Sequence, residues 1–280
     1  MDASTGEHGD LLDLIGLNRG LDFTATLAEA RFILSLPMMH TAPADPPAPR
    51  GSSEAARRLF AASKSIRGTL AERYLRGRGI VLPPEVSALR FHPCCFYRAP
   101  SGRQIWPAMI AAVTTDPGGA MTGVHRTWLD PAGGKAPVDQ PRRAMGHLIG
   151  NAVRFGLVQD VMAAAEGIET ALALKTVLPA LPVVAALSAA HLAALTVPPT
   201  LRRLYIARDN DTAGRLALER LRDRFQGVSL DIRALVPLAE DFNADLLNLG
   251  PDRLRAWLAG QLASDDARRF VDADGLSDSG

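Results

Sequence analysis

From residue 158 onward, short apolar runs alternate with helix-patterned ones. VMAAAEG (161–167), PVVAAL (182–187), RRLYIARD (202–209) and VSLDIRALVP (228–237) read as strands, being short runs with apolar centres. Between them lie an alanine-rich helix ending near Val177, SAAHLAAL with Ser188 as candidate cap, and a helix from about 212 to 225. Two more helices are expected near 242–249 and 251–262. Strands alternating with helices over roughly 90 residues predict a parallel sheet with right-handed crossovers. The tail from Ala263, ASDDARRFVDADGLSDSG, is polar enough to predict disorder.

Upstream the texture changes. From about 88 to 155, LRFHPCCFYR, WPAMIAAVTTD and MTGVHRTWLD look like strands separated by turns at 99–102 and 116–119. They predict an antiparallel β-rich region that carries much of the positive charge: Arg98, Arg103, Arg126, Lys135, Arg142, Arg143 and Arg154. Helices are expected around 54–64 and 69–77, the second closing at Gly77-Arg-Gly79. Residues 10–18 and 23–35 predict two amphipathic helices, with Phe23, Leu27, Ala30 and Leu34 on one face. The Pro/Ala-rich stretch 37–53 predicts a linker. The expected organisation is therefore a helical segment (1–36), a linker (37–53), a basic α+β subdomain (54–157), an α/β domain (158–262) and a tail (263–280).

Composition alters this picture through the placement of charge. The 280 residues carry a formal net charge of +1. Residues 1–49 hold 2 basic and 7 acidic side chains, residues 50–154 hold 16 and 6, and residues 155–280 hold 13 and 17. A strongly basic middle segment is the pattern of a chain that contacts polyanions. Of the basic residues 28 are Arg, the side chain suited to bidentate phosphate contacts. The two cysteines, Cys94 and Cys95, are adjacent, and with no CxxC pair no zinc site is expected. The apolar stretch 161–197 is broken by Glu166, Glu169, Lys175, Pro179 and Pro182, which excludes a membrane span. The polar start MDASTGEHGD shows no export signal, so a cytoplasmic protein is expected.

In an open parallel sheet, ligands bind beyond the carboxyl ends of the strands. Glu166-Gly-Ile-Glu169 closes the first predicted strand and Asp209-Asn-Asp211-Thr-Ala-Gly214 the third; Asp241-Phe-Asn243 follows the fourth. If the first and third strands are neighbours, these carboxylates converge, and Mg²⁺ is the usual remedy for such repulsion. A site of this kind supports two-metal phosphoryl chemistry. The alternative is that Asp211 caps the following helix and the other acids are surface charges. Arg208, directly before Asp209, either pairs with the acids or contacts a phosphate. Other phosphate chemistries fit less well: Ala213 stands where a DxDx[TV] phosphatase needs Thr or Val, and neither a Walker A loop nor GxGxxG is present. ATP-driven helicase activity and dinucleotide binding are thereby disfavoured.

At these residues the chain resembles the Toprim superfamily, the catalytic module of bacterial-type primases and topoisomerases. AEGIETALAL is similar to the family's glutamate motif, YIARDNDTAGRLA to its DxD motif, and EDFNADLL to the acidic segment closing the module in primase-like members. The likeness covers roughly 155–250. GVHRTWLD, the basic 135–146 stretch and NAVRFG resemble the region preceding Toprim in plasmid- and phage-type primases. GDLLDLIGLNRGLDFTATLAEARFIL is similar to the helices that follow the zinc ribbon of such primases, so the chain is expected to be a primase-like protein without that ribbon.

The resemblance implies a Toprim-like α/β fold and nucleotidyl transfer to a primer on single-stranded DNA, drawing on NTPs and Mg²⁺ or Mn²⁺, in plasmid, phage or mobile-element replication. Glu166, Asp209 and Asp211 are the candidate catalytic and metal-binding residues, with Glu169 and Asp241 as further metal ligands. Arg126, Lys135, Arg142, Arg143, Arg154 and Asn243 are the candidate nucleic-acid or nucleotide contacts. A helicase, or a protein supplying the zinc ribbon, is the implied partner. A Toprim-type nuclease and a non-catalytic nucleic-acid-binding replication accessory are the competing expectations. A topoisomerase is disfavoured, because no Tyr sits in a recognisable nucleophile domain.

Overall fold

The computed structural model describes residues 52–84, 86–116 and 119–271, together with Thr26, which is helical and buried. The expected N-terminal helices, Thr26 apart, and the linker up to residue 51 lie outside the described residues. Residues 50–280 cluster as one unit, distinct from 1–49.

The upstream half is an antiparallel sheet of five strands in sequence order: β1 (Lys64–Ser65), β2 (Leu89–Ala99), β3 (Gly102–Thr114), β4 (Met121–Trp128) and β5 (Arg142–Gly146). Strand alternation gives this sheet two apolar faces. One packs Tyr97, Ile110, Val124 and Trp128 beneath helix α1 (Ser53–Ala61), which contributes Ala56 and Phe60. Tyr97 and Trp128 are both fully buried, and their rings meet edge-on, 5.0 Å apart. The opposite face, with Phe91, Met109, Ala111 and Val113, joins helix α2 (Leu70–Arg76) in a core shared with the downstream half.

That downstream half is a second sheet, β6 (Val153–Phe155), β7 (Val161–Ala165), β8 (Val183–Ala185), β9 (Arg203–Ala207) and β10 (Asp231–Leu235), ordered β10-β9-β7-β8-β6. β7 through β10 are mutually parallel and β6 runs antiparallel at the edge. Helix α3 (Ile168–Val177) packs on one face with α6 (Phe242–Leu249) and α7 (Pro251–Ala259). Helices α4 (Ala189–Ala193) and α5 (Thr212–Arg224) cover the other. β7 is buried along its whole length, which is why its sequence shows no alternation.

β5 falls within the expected antiparallel β-rich region and completes the sheet beside β4. Two expectations change. The expected boundary at 157/158 separates β6 from the sheet to which it belongs, since Val153–Phe155 pairs with Val183–Ala185 of β8. The tail is not disordered at its start: Ser264–Phe270 forms helix α8, with Phe270 in the core. Its apolar residues Ala263, Ala267 and Phe270 fall at helical spacing, a stripe too short to outweigh the charged residues around it. Asp266 fastens α8 by accepting hydrogen bonds from Arg202, Arg203 and the Tyr205 hydroxyl. Residues 272–280 lie outside the described residues. Among the described residues no helix is long and apolar enough to cross a membrane.

Candidate active site

The carboxyl ends of the central strands stop level with one another: Ala165 of β7 pairs with Ala207 of β9 on one side and Ala185 of β8 on the other. Glu166 therefore leaves β7 next to the point where Arg208-Asp209 leave β9. The glycine of DNDTAG has a steric reason. A Cβ on Gly214 would stand 2.7 Å from the Asp209 carbonyl oxygen, so only glycine lets α5 close onto the loop below it.

Asp209 is half-buried, and its Oδ1 is buried with no hydrogen-bond partner. Burial pushes its carboxyl up to about 7, helped by the negative charges of Glu166, Asp241 and Asp211; Arg142 opposes the rise. Glu166 is raised for the same reasons, burial first and then Asp211, against the Ala189 backbone N–H and Arg142. Asp211 does cap α5, its Oδ1 accepting from Gly214 N at 2.7 Å. Asp241 caps α6 in the same way through Ala244 N at 2.7 Å. A cap occupies one carboxylate oxygen and leaves the charge in place, so the two readings of Asp211 are compatible. Arg208 donates to the Asp209 backbone carbonyl at 3.3 Å.

Glu166, Glu169, Asp209 and Asp241 form one wall of a cavity of about 500 Å³, while Asp211 is exposed outside its lining. Arg78, His125, Lys135 and Arg142 line the rest, together with His191. Glu169 is buried at the cavity edge, accepting from the Tyr74 hydroxyl at 2.7 Å with Lys135 Nζ 3.7 Å away. Burial would raise its pKa, but Lys135 and the Tyr74 hydrogen bond outweigh it and hold the carboxyl below its ordinary value. Lys135 is thus tied to Glu169, whereas Arg142 is exposed and faces the acids. Asn243 is buried and clamps Arg78, accepting from its Nη1 and donating to its carbonyl, each at 2.8 Å. Asp245 accepts from the backbone of Leu238 and Ala239, holding the loop that delivers Asp241.

The remaining expected contacts are not brought to the cavity as cations. Arg126 alternates with His125 and Thr127 and so points to the opposite face, stacked 4.8 Å from the Trp128 ring. Arg143 contributes to the cavity wall, yet its guanidinium stacks on Tyr97 at 4.4 Å and donates to the Tyr97 hydroxyl and the Arg98 carbonyl. Arg154 sits in β6 beside Asp116, 3.2 Å away. Arg78, His125 and His191 were missed. His125 was legible: in GVHRTW it alternates with Val124 and Arg126 and shares a face with Thr127. Its Nδ1, like that of His191, is buried without a partner, and burial pushes its pKa down to about 4. Among the described residues no three His, Cys, Asp or Glu side chains converge tightly enough to hold an ion by themselves.

An acidic edge at the carboxyl ends of parallel strands, built on EGxE and DxDxxG turns, defines a Toprim-type module. Residues 161–252 match the family described as Toprim domain, and residues 50–155 match a domain of unknown function, DUF7146. The fold is similar to that of the Aquifex aeolicus primase (zinc binding and RNA polymerase domains), at 14% identity over 97% of this chain and 78% of that one, with a TM-score of 0.50. It is also similar to a DNA primase domain from Pseudomonas aeruginosa, at 17% identity over 75% of this chain and 78% of that one, with a TM-score of 0.51. No curated protein matches the chain. Residues 161–252 thus carry a Toprim domain, and the fold of the chain is similar to that of bacterial DNA primases.

Proposed function

We propose that this protein is a primase-like nucleotidyltransferase that makes short primers on single-stranded DNA from NTPs, in the cytoplasm, during plasmid, phage or mobile-element replication. The observation that carries it is Asp209: a buried, unpaired carboxylate oxygen among three further acids, in a cavity whose other wall is cationic.

The donor set suits Mg²⁺ or Mn²⁺. Glu166, Asp209 and Asp211 are hard oxygen donors, and Asp209 Oδ1 has no other partner. Mg²⁺ takes one or two carboxylates and completes its shell with water and substrate phosphates, so the site does not need a cage of three protein ligands. Asp209 and Asp211 would hold the metal, with Glu166 beside them and Asp241 adding negative charge. When bound, the ion stabilises charge on the attacking and leaving oxygens of an in-line displacement. The chain's own groups orient the reactants. Arg142, Arg78 and Lys135 would bind the triphosphate through charge-assisted hydrogen bonds, and Asn243 keeps Arg78 in position. Glu166, its proton affinity raised, is placed to accept the proton of the attacking hydroxyl.

Purified protein given single-stranded DNA, NTPs and Mg²⁺ or Mn²⁺ is expected to yield short oligonucleotides. Asp209→Ala is expected to abolish them and Arg269→Ala to retain them. DNA cleavage without NTP incorporation would instead establish a Toprim-type nuclease. Calorimetry showing no Mg²⁺ or Mn²⁺ binding would establish a non-catalytic accessory protein.

A further inference from the structure

Arg154 stands apart from the acidic cavity. β6 runs antiparallel to β8 with Phe155 opposite Val183, so its end lies where the parallel strands begin. There a second cavity, of about 360 Å³, opens between Pro83, Pro84 and Val86 on one side and Phe155, Lys175 and Pro179 on the other, with Arg154 in its wall. Helix α3 spans the two cavities, carrying Glu169 in its first turn and Lys175 in its last. At ~1.5 Å per residue these lie roughly 9 Å apart along the axis.

Both cations of this cavity carry N–H groups that the fold leaves unpaired. The Arg154 side chain is 11% exposed, and its Nε donates to the Thr115 carbonyl at 3.2 Å. Nη1 lies 3.2 Å from Asp116 Oδ1 but is misaligned for a hydrogen bond, and Nη1 and Nη2 are both buried without a hydrogen-bond partner among the described residues. Arg154 therefore acts on the cavity through its charge, and Lys175 offers the accessible donor. Lys175 donates to the Pro179 and Leu181 carbonyls, which leaves one of its three N–H groups, and no carboxylate pairs with it among the described residues. The desolvation that this entails presses its pKa down. Gly156, at φ +103°, completes the corner. A Cβ there would come 3.3 Å from Lys175 Nζ and crowd the space in front of the ammonium.

We propose that this cavity is a second binding site, for a small ligand carrying an oxyanion head, carboxylate or phosphate, on an apolar body. Arg154 and Lys175 against Asp116 leave one net positive charge to receive the head. The prolines, Val86 and Phe155 supply apolar walls for the body, and the volume lies at the lower end of the roughly 300–1,000 Å³ usual for small-molecule sites. Nothing in this assignment depends on the polymerase proposal, because the two cavities lie at opposite ends of the sheet and of α3.

Calorimetric titration of the full chain with phenyl phosphate, benzoate and inorganic phosphate tests it. One of the two aromatic probes is expected to bind saturably at one site and more tightly than inorganic phosphate, and which one wins identifies the head. Lys175→Gln, which keeps an N–H donor for the two carbonyls, is expected to weaken binding about tenfold or more with an unchanged melting temperature. Arg154→Gln is expected to do the same where it folds. Asp209→Ala is expected to leave the affinity unchanged. Absence of saturable binding to the unmodified chain, an unchanged affinity in Lys175→Gln, or loss of binding in Asp209→Ala would each overturn the proposal.

Discussion

Replacing Asp209 by Asn isolates the electrostatic cost of the candidate active site. In the folded chain the Asp209 carboxyl is raised from 3.8 to about 7, mainly by burial and then by the charges of Glu166, Asp241 and Asp211. The native state therefore keeps a proton that the unfolded chain has already released. Stability contributed by this group is present below pH ~4, falls as the pH rises to 7, and is flat above that. At ~1.4 kcal/mol per pH unit, the interval sets an upper bound of ~4 kcal/mol on the cost at pH 8. The side chain is partly open to solvent, so screening reduces this to ~2 kcal/mol. Asn matches the neutral form at every pH. Asp209→Asn is thus expected to stabilise the metal-free protein by ~2 kcal/mol at pH 8, about 4–8 °C in Tm for a unit of this size, and by little near pH 4. The same change is expected to remove any stabilisation by Mg²⁺. Scanning calorimetry in EDTA at pH 4.5 and pH 8, then with Mg²⁺, measures both effects. A variant less stable than the parent at pH 8, or one equally shifted at both pH values, would refute the reasoning.

The remaining predictions concern the scaffold. Asp266→Ala leaves Arg202 and Arg203 without their buried acceptor and is expected to cost about 3–5 kcal/mol in urea unfolding, with hydrogen exchange in residues 264–270 rising most. Tyr74→Phe removes a buried hydrogen bond to Glu169 and is expected to cost about 1–3 kcal/mol. It also raises the Glu169 pKa. Because that pKa is depressed in the fold, the stability it supplies exists at neutral pH and is lost on acidification, so Tyr74→Phe should flatten the acid limb of a pH-stability curve. Arg269→Ala breaks a surface pair with Asp160 and is expected to change stability by less than about 1 kcal/mol, as urea titration would show.

The sequence by itself determined the parallel sheet and the placement of its acids. Continuous burial makes β7 wholly apolar, and β9 is apolar and buried after Arg203. The turns at the strand ends need particular residues: glycine at 214, where a side chain would strike the Asp209 backbone, and Asp at 211 and 241 to cap helices. These are local requirements, written in local residues. The direction of Arg126 was equally local, since strand alternation groups it with Val124 and Trp128. Only the tertiary structure decided the partners. Glu169 and Lys135, adjacent to different elements in the chain, become an ion pair beneath Tyr74, and Asn243 becomes a clamp on Arg78. Arg154, counted with the basic segment, is carried by β6 to the far end of the sheet. Helix α8, polar in composition, is ordered because Asp266 meets two arginines and a tyrosine some 60 positions upstream. Charge shows in composition, but whether a charge faces a cavity, a ring or an opposite charge depends on pairings between distant strands, which no local pattern encodes.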